Sequence, residues 1–508
     1  MSSQRLLKRR HLRSMDAERR PVCAMDVNSG RIGSKKTSFE RKVLNRHETG
    51  LYMIHTPAEK GDFSQGSIPH AIMRLVVPIT LAQLINILYS IVDRIYLGHM
   101  PGVEHLALTG VGVTMPVIHI LVSFSALCAT GGGPLFAISR GKGEDGEAES
   151  IMGNTFSVLL ILGVILTAAV LIFKKPILYL FGASDNTYPF AGAYLGIYAI
   201  GTIFAMFSHG MNPFINAQGF GRIGMLTVAI GAIINIILDP IFIFVLGMGV
   251  RGAALATIIA QVCSAAWVMA FLTGKRAILH LKLSCMRLRA ERVRRIVTLG
   301  LSGFFMNLTT SLTQIVCNVT LLRYGGDLYV GVMTIIISLR EVVSMPIQGM
   351  MNGSTPVIGY NYGANKPGRV RQAIKFYSSA TIIYSVVIWV IMMLLPGVLI
   401  RIFSTEPQMI QAGIPAIRLH FCLFMFLSTH IAGQGVFTGL GMSKNAIFFT
   451  LLRKAFIVVP LTVILPLAGM GVSGVFAAEA VSQFVSGIVC FTTMYFVVYR
   501  KLKPDGAQ

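Results

Sequence analysis

Charge is what this chain has least of. Of its 508 residues, 13% are Asp, Glu, Lys or Arg, where a soluble protein carries about 25%. Acidic residues are the scarcer sign, 21 against 44 basic ones. Enzymatic signatures are missing too. No HExxH, no GxSxG and no Cys/His nucleophile pair occurs, which argues against an intramembrane hydrolase. No filter-like sequence suggests a channel. The seven cysteines, Cys23, Cys128, Cys263, Cys285, Cys317, Cys422 and Cys490, show no CxxC or Cys/His metal spacing. They read as small buried hydrophobes. Residues 1–65 contain no apolar run long enough for a signal peptide.

What is abundant is apolar sequence. Hydrophobic residues make up 54% of the chain, and the mean hydropathy is +0.68. A bilayer crossing needs about 20 predominantly apolar residues. Twelve stretches qualify: 71–97, 106–138, 151–173, 190–216, 224–246, 252–274, 293–323, 328–358, 375–397, 413–440, 447–467 and 474–498. The 51 glycines suit helices packed backbone to backbone in lipid. The expected fold is therefore an all-α polytopic membrane protein of twelve transmembrane helices.

The net charge of +23 sits in the N-terminal tail and in short connections. That distribution is the positive-inside pattern rather than a nucleic-acid-binding surface. One set of connections holds Arg140, Lys142, Arg222, the run from Lys275 to Arg295, Lys366 to Lys375, Lys444, Arg453, Lys454 and Arg500 to Lys503. The other set holds only Lys174, Lys175, Arg251, Arg323 and Arg401, with Arg94 at a helix end. The rich set is expected on the cytoplasmic side of a bacterial inner membrane, with both termini inside.

The chain also repeats itself. Gly247-Met-Gly-Val-Arg-Gly252 recurs as Gly469-Met-Gly-Val-Ser-Gly474, 222 residues later. Ala256 and Gln261 map to Ala478 and Gln483, and Gly131, Pro134 and Gly141 map to Gly353, Pro356 and Gly363, at the same offset. Two separated motifs sharing one offset indicate a duplication. Six spans per copy is an even number, so the halves run parallel and suit lobes that rock about a midplane cavity. The expected organisation is a disordered basic tail at 1–65 (Met53 being an alternative start), an N-terminal lobe at 66–274, a linker at 275–292, a C-terminal lobe at 293–499 and a short tail at 500–508.

Pro78, Tyr89, Val92-Asp93 and Gly98 in the first span, Asn235-Ile-Ile-Leu-Asp239-Pro240 in the fifth and Gly252-Ala-Ala-Leu-Ala-Thr257 in the sixth resemble multidrug and toxic compound extrusion (MATE) transporters. So does Pro356-Val-Ile-Gly-Tyr-Asn361-Tyr-Gly363-Ala364 at the end of the eighth. The resemblance spans roughly residues 65 to 500 and is nearest to the bacterial MepA-type branch. It implies efflux of cationic, amphipathic drugs and dyes against entry of protons or sodium ions. It requires no cofactor. The partners expected are small organic cations and the bilayer, for a monomer.

A carboxylate at the bilayer centre costs about 3 kcal/mol on insertion scales, so each of the few present needs a reason. Helix rise places Asp93, Asp239 and Thr257 in one layer, about 8–12 Å below the outer surface. Asn235 lies one turn from Asp239 on the same face. These hard oxygen ligands suit sodium or a shared proton, and two like charges held close favour uptake of a cation between them. Asp93, Asn235, Asp239 and Thr257 form the expected coupling site. Other roles stay open: an interfacial Asp93, an Asp239 that serves the Pro240 kink, an Asn235 that bridges helices, a Thr257 bonded to its own backbone. Pro78 removes a helix hydrogen bond and is the expected hinge, as the matching proline is in the resembled family.

Tyr89, Asn86, Tyr194, Asn212, Arg340 and Glu341 are candidates for the substrate cavity, alongside Met and aromatic walls that adapt to varied cations. Arg340 and Glu341 are either an ion pair or separate cavity charges. Glu479 is expected to be solvated near the outer end of the last span. His119, His420 and His430 read as core histidines. The sodium-coupled NorM-type members carry acids in the seventh and tenth helices. Here those helices offer Gln314 and Asn318 and no acid, so the coupling site is expected in the N-terminal lobe alone. A lipid-linked sugar flippase is the rival reading, and its cavity would be strongly cationic.

Overall fold

In the computed structural model, residues 62–98, 104–403 and 406–502 are described. The tail at 1–61 with Cys23 and Met53, the Arg94 side chain and residues 503–508 lie outside them.

Among the described residues, eleven helices are long and apolar enough to cross a membrane, and one bent pair, taken as one span, supplies a twelfth. They are α1 Ile68–Gly98, α2 Glu104–Gly141, α3 Asp145–Leu180, α4 Tyr188–Ala217, α5 Gly221–Val245, α6 Val250–Thr273, α7 Ala290–Gly326 and α8 Leu328–Gly363. After these come α9 Pro367–Leu394, the broken α10 (Pro407–Phe421 and Met425–Gly439, bent by 43°), α11 Ser443–Met470 and α12 Val472–Lys501. Their outward faces carry bare leucine, isoleucine, valine and phenylalanine, such as Ile165, Ile172, Val319 and Phe456. In water that surface would aggregate, and in lipid it costs nothing.

The duplication is written into the backbone. Gly249 (φ 56, ψ −133) and Gly471 (φ 52, ψ −137) adopt one conformation, 222 residues apart. Gly219 and Gly441 share a positive φ at that offset, as do Gly247 and Gly469. Gly143 matches Asn365, the one non-glycine with positive φ among the described residues, and Asn is the side chain that best tolerates that region. The wide-turn segment Ile241–Val245 precedes the first Gly-Met-Gly turn, and Pro466–Met470 runs into the second.

The lobes meet through glycine. α2 crosses α8 where Gly141 lies against the Tyr360 carbonyl and Gly363 against the Ile138 carbonyl. Residues 138 and 360, and 141 and 363, are repeat equivalents, so the contact is a two-fold crossing of one helix with its duplicate. A Cβ on Gly131 or Gly300 would overlap the backbone of Ile296 or Leu127, which fixes α2 against α7. Gly349 and Gly353 receive Thr80 and Val76 of α1. Because helices alternate up and down, most of these contacts fall on the half of the molecule nearest the face where the described chain begins and ends.

Two connections are more ordered than their composition suggests. The stretch expected to be disordered up to residue 65 is, from Asp62 onward, tied to the C-terminal lobe. Asn361 Nδ2 and Arg369 Nη2 donate to the Phe63 carbonyl, Lys366 Nζ to the Ser64 carbonyl and Arg369 Nη1 to the Gly66 carbonyl. Tyr360 donates its hydroxyl to Asp62 at 3.2 Å. Burial alone would raise the Asp62 carboxyl, but hydrogen bonds from Ser64 and Tyr360 outweigh it and hold the group below the usual carboxylate range.

The link between the lobes is clamped to α3 and α4. Buried Asn154 donates to the carbonyls of Cys285 and Arg287 and accepts from the Arg289 N–H. Glu149 accepts from Lys282 Nζ, and Gln218 accepts from Ile278 and Leu279. Asn154→Leu strands three backbone groups, at about 1–3 kcal/mol for each one left buried. We expect the thermal unfolding midpoint of the detergent-purified protein to fall by several degrees. An unchanged midpoint would show that water replaces the amide there.

Candidate ion and substrate site

Four side chains from three helices converge in the N-terminal lobe. Asp239 lies at the end of the regular part of α5, which closes on Pro240, a residue that cannot donate back to the helix. Its Oδ1 accepts from Asn235 Nδ2 at 3.1 Å. The same Nδ2 lies 3.4 Å from Thr257 Oγ1 of α6. Thr257 donates its own hydrogen to the Ala253 carbonyl at 3.0 Å, which leaves its lone pairs facing the cluster. Asp93 of α1 completes it, its carboxyl lying against that of Asp239. Asp93 and Asp239 are 8% and 0% exposed, and two carboxyls in contact at that depth need a shared proton or a cation between them. Asn235 Oδ1 and Asp239 Oδ2 are buried acceptors with no hydrogen-bond donor. These donor-poor oxygens fit a proton or a sodium ion. Among the described residues no group of three His, Cys, Asp or Glu could hold a metal ion, so a sodium ion would rely on the amide and hydroxyl oxygens as well.

The alternative roles weighed for Asn235 and Thr257 hold as well. Asn235 does bridge α5 to α6, and Thr257 does bond its own helix. Neither use consumes the oxygen that faces the carboxylates.

Next to this cluster a cavity of about 670 Å³ lies between the lobes. Asn235 and Thr257 line both the cluster and the cavity. Of the expected cavity residues, Asn86, Tyr89, Asn212 and Glu341 are in its wall. Asn212 also ties α4 to α5, donating to the Gly224 carbonyl at 3.2 Å. Among the described residues Glu341 is the one carboxylate of the wall, and no lysine or arginine lines it. Gln83, His209, Gln261, Gln348, Asn352 and Gln434 add neutral polar groups that the sequence by itself does not mark as cavity residues. They sit on otherwise apolar faces, where a lone amide reads equally well as a helix bridge.

Two expectations are corrected. Tyr194 does not line the cavity. It is buried among Val111, Ile243 and Val250, stacked with Tyr198 and close to Thr257, so it backs the cluster from behind. Arg340 does not line it either and does not pair with Glu341. Successive residues on a helix diverge by about 100°, and Arg340 turns into the C-terminal lobe, 3.3 Å from Glu479.

Glu479 is therefore not solvated. It is 3% exposed and also meets Arg453 and Lys454, each at 3.3 Å. Those two bases belong to α11, inside its π-helical stretch Leu452–Val458, and not to a cytoplasmic connection. Charge counting placed them wrongly because it cannot tell a base at a span's end from one paired inside it. His420 and His430 are core residues as expected, whereas His119 is exposed.

The MatE family profile matches residues 78–241 and 303–464, one segment in each lobe. This chain belongs to the MatE family, the MATE transporters. It is therefore a multi-pass membrane transporter and not an enzyme. It is similar to the multidrug export protein MepA of Staphylococcus haemolyticus strain JCSC1435, 26% identical over 453 residues that cover 88% of this chain and 97% of the relative. The MepA of Staphylococcus aureus strain MSSA476 is 24% identical, covering 86% and 95%. A crystal structure of a MATE in the bent conformation superposes with a TM-score of 0.82 at 23% identity, covering 88% of this chain and 98% of that one. An outward-facing multidrug resistance MATE transporter of the MOP superfamily gives 0.81 at 23%, covering 87% and 99%. In this MATE chain Pro78 is buried within α1, flanked by Val76 and Thr80, which rest on Gly353 and Gly349 of α8.

Proposed function

We propose that this transporter exports cationic, amphipathic organic molecules across a bacterial inner membrane by antiport with protons or sodium ions. The observation that carries the reading is a carboxylate pair, Asp93 and Asp239, buried beside an interlobe cavity in which Glu341 is the only charged wall residue among the described residues. A monovalent cation on the pair removes like-charge repulsion. A cationic solute gains from Glu341 and meets no lysine or arginine among the described residues of the wall. Similarity to MepA multidrug exporters supports the same direction.

In this reading Asp93, Asn235, Asp239 and Thr257 take the ion, and Tyr89, Asn86, Asn212 and Glu341 meet the substrate. Both termini face the cytoplasm, the protein works as a monomer, and the glycine crossings hold the lobes shut on that side. When the pair gains a cation, α1 bends at Pro78. The bend has to lift Thr80 off Gly349, so ion binding and lobe closure share one helix. Each ion entering down 100 mV supplies about 2.3 kcal/mol. A lipid-linked oligosaccharide flippase is disfavoured, because its pyrophosphate needs cationic cavity walls. Arg340 is turned to Glu479, and exposed Arg418 is not in the wall.

Proteoliposomes loaded with ethidium test this. Dye movement should require an imposed proton or sodium gradient and fail when the gradient is collapsed. Gradient-independent flux, or lipid scrambling without dye movement, would refute the reading. Glu341→Gln should raise the KM for a cationic dye several-fold, about 1 kcal/mol of lost attraction in a wet cavity, with little effect on an uncharged one.

A further inference from the structure

The C-terminal lobe holds a second polar centre that the antiport reading does not use. Arg340 of α8, Arg453 and Lys454 of α11 and Glu479 of α12 meet at 3.3 Å separations. The repeat relates this place to the carboxylate site. Glu479 lies 222 residues after Thr257, and His420 lies 222 after Tyr198. Duplication thus left two equivalent places of opposite charge.

The charges do not balance. Both guanidiniums stay protonated in proteins, so even with a neutral Lys454 the centre holds two fixed positive charges against one carboxylate. Glu479 is the one acid in salt-bridge contact with these bases among the described residues. A buried ion pair is tolerable when each charge is matched, and an unmatched buried charge is expensive.

Neighbouring polar groups also lack acceptors. Neither ring nitrogen of His420 has a hydrogen-bond partner, and the residue is fully buried. Any tautomer of imidazole has at least one N–H to place. Gln483, one helical turn from Glu479, is fully buried with neither side-chain end bonded. The centre has one wet edge. The Arg340 and Arg453 side chains are 21% and 12% exposed, against 4% for Lys454 and Glu479. Both basic residues of α11 sit on a π-helical stretch, a distortion frequent at binding sites.

We propose that this centre is a site for a small monoanionic group, a halide or a carboxylate, held by Arg340, Arg453 and Lys454, with His420 and Gln483 supplying N–H donors. It stands independently of the cation-coupling reading. The anion restores charge balance and gives the stranded donors their acceptor. Its source is either free chloride or the carboxylate of a transported solute that enters past Arg340.

Thermal unfolding of the full chain in detergent separates the outcomes. Sulfate is replaced stepwise by chloride, bromide or benzoate at constant ionic strength. Saturable stabilisation by chloride and bromide assigns free halide, and stabilisation by benzoate alone assigns a solute carboxylate. In Arg340→Gln, where Glu479 keeps two partners, the half-saturating concentration should rise at least about tenfold. Bromide anomalous diffraction from wild-type crystals gives a reading that needs no variant, with a peak beside Arg340 and Lys454. Equal stability in all four anions, or a response unchanged by Arg340→Gln with no bromide peak, overturns the proposal. Dye efflux by the wild type in chloride-free medium would be unaffected by such a failure.

Discussion

Asp239→Asn and Asp93→Asn proteins are expected to reach the membrane in normal amount and to lose gradient-driven efflux, with the rate of dye efflux falling roughly tenfold or more. Asn is close to Asp in shape and keeps an acceptor oxygen, so the packing of α1, α5 and α6 survives. What goes is the ability to gain a positive ion. A ligand shifts an equilibrium only by its differential affinity for the two states, and a site that no longer binds the ion couples nothing. Asp239 is fully buried and hydrogen-bonded to Asn235, so its replacement should cost more than that of Asp93. Binding of a dye without a gradient should persist in both, because neither residue lines the cavity. Efflux at wild-type rates in either variant would remove that carboxylate from the coupling role. Thr257→Ala is a milder case. It removes one oxygen and should shift the ion dependence without abolishing transport.

The second large effect is expected at the α2–α8 crossing. An ideal Cβ on Gly141 would lie 1.9 Å from the Tyr360 carbonyl oxygen, and one on Gly363 would lie 2.0 Å from that of Ile138. No rotamer relieves an overlap with backbone, so Gly141→Leu or Gly363→Leu must push the helices apart. Both lobes lose their closed contact on that face. A cysteine reporter at Asn216, in a background cleared of native cysteines, should react faster with a maleimide applied from the terminal side. Transport should fall about tenfold, the loss of roughly 1.4 kcal/mol in the closed state. Gly146→Ala is the control, since nothing lies within 4 Å of its added Cβ. Retained transport in Gly141→Leu would mean that closure does not depend on this crossing.

The legible parts of this molecule were those set by a one-dimensional rule. Hydropathy counts the crossings because lipid must face apolar side chains along a fixed length of helix. The bend in α10, at residues 421–425, escaped because its halves read as one continuous apolar stretch. The repeat was visible in glycines because positive φ and backbone contact select glycine almost uniquely. Asn365, which stands where the other copy has Gly143, shows the limit of that rule. Asp93, Asn235, Asp239 and Thr257 were recoverable because helix rise converts sequence spacing into depth, and because an intramembrane acid is costly enough to be rare.

The misplacements share a cause. Depth can be counted from a helix end, but rotation cannot. Arg340 and Tyr194 lie at plausible depths and face away from the cavity. Glu479, Arg453 and Lys454 looked like helix-end charges, since nothing in a single sequence states that they meet.

The amino-acid sequence by itself determined a twelve-helix duplicated membrane fold and the layer in which the carboxylates lie, since both follow from hydrophobic length and axial rise. Only the tertiary structure decided which side of each helix faces the cavity, which glycines carry the lobe contact and that four charges of α8, α11 and α12 form one buried centre. Those outcomes depend on how helices rotate and cross. Packing among distant segments sets these angles, to which hydropathy along the chain is blind.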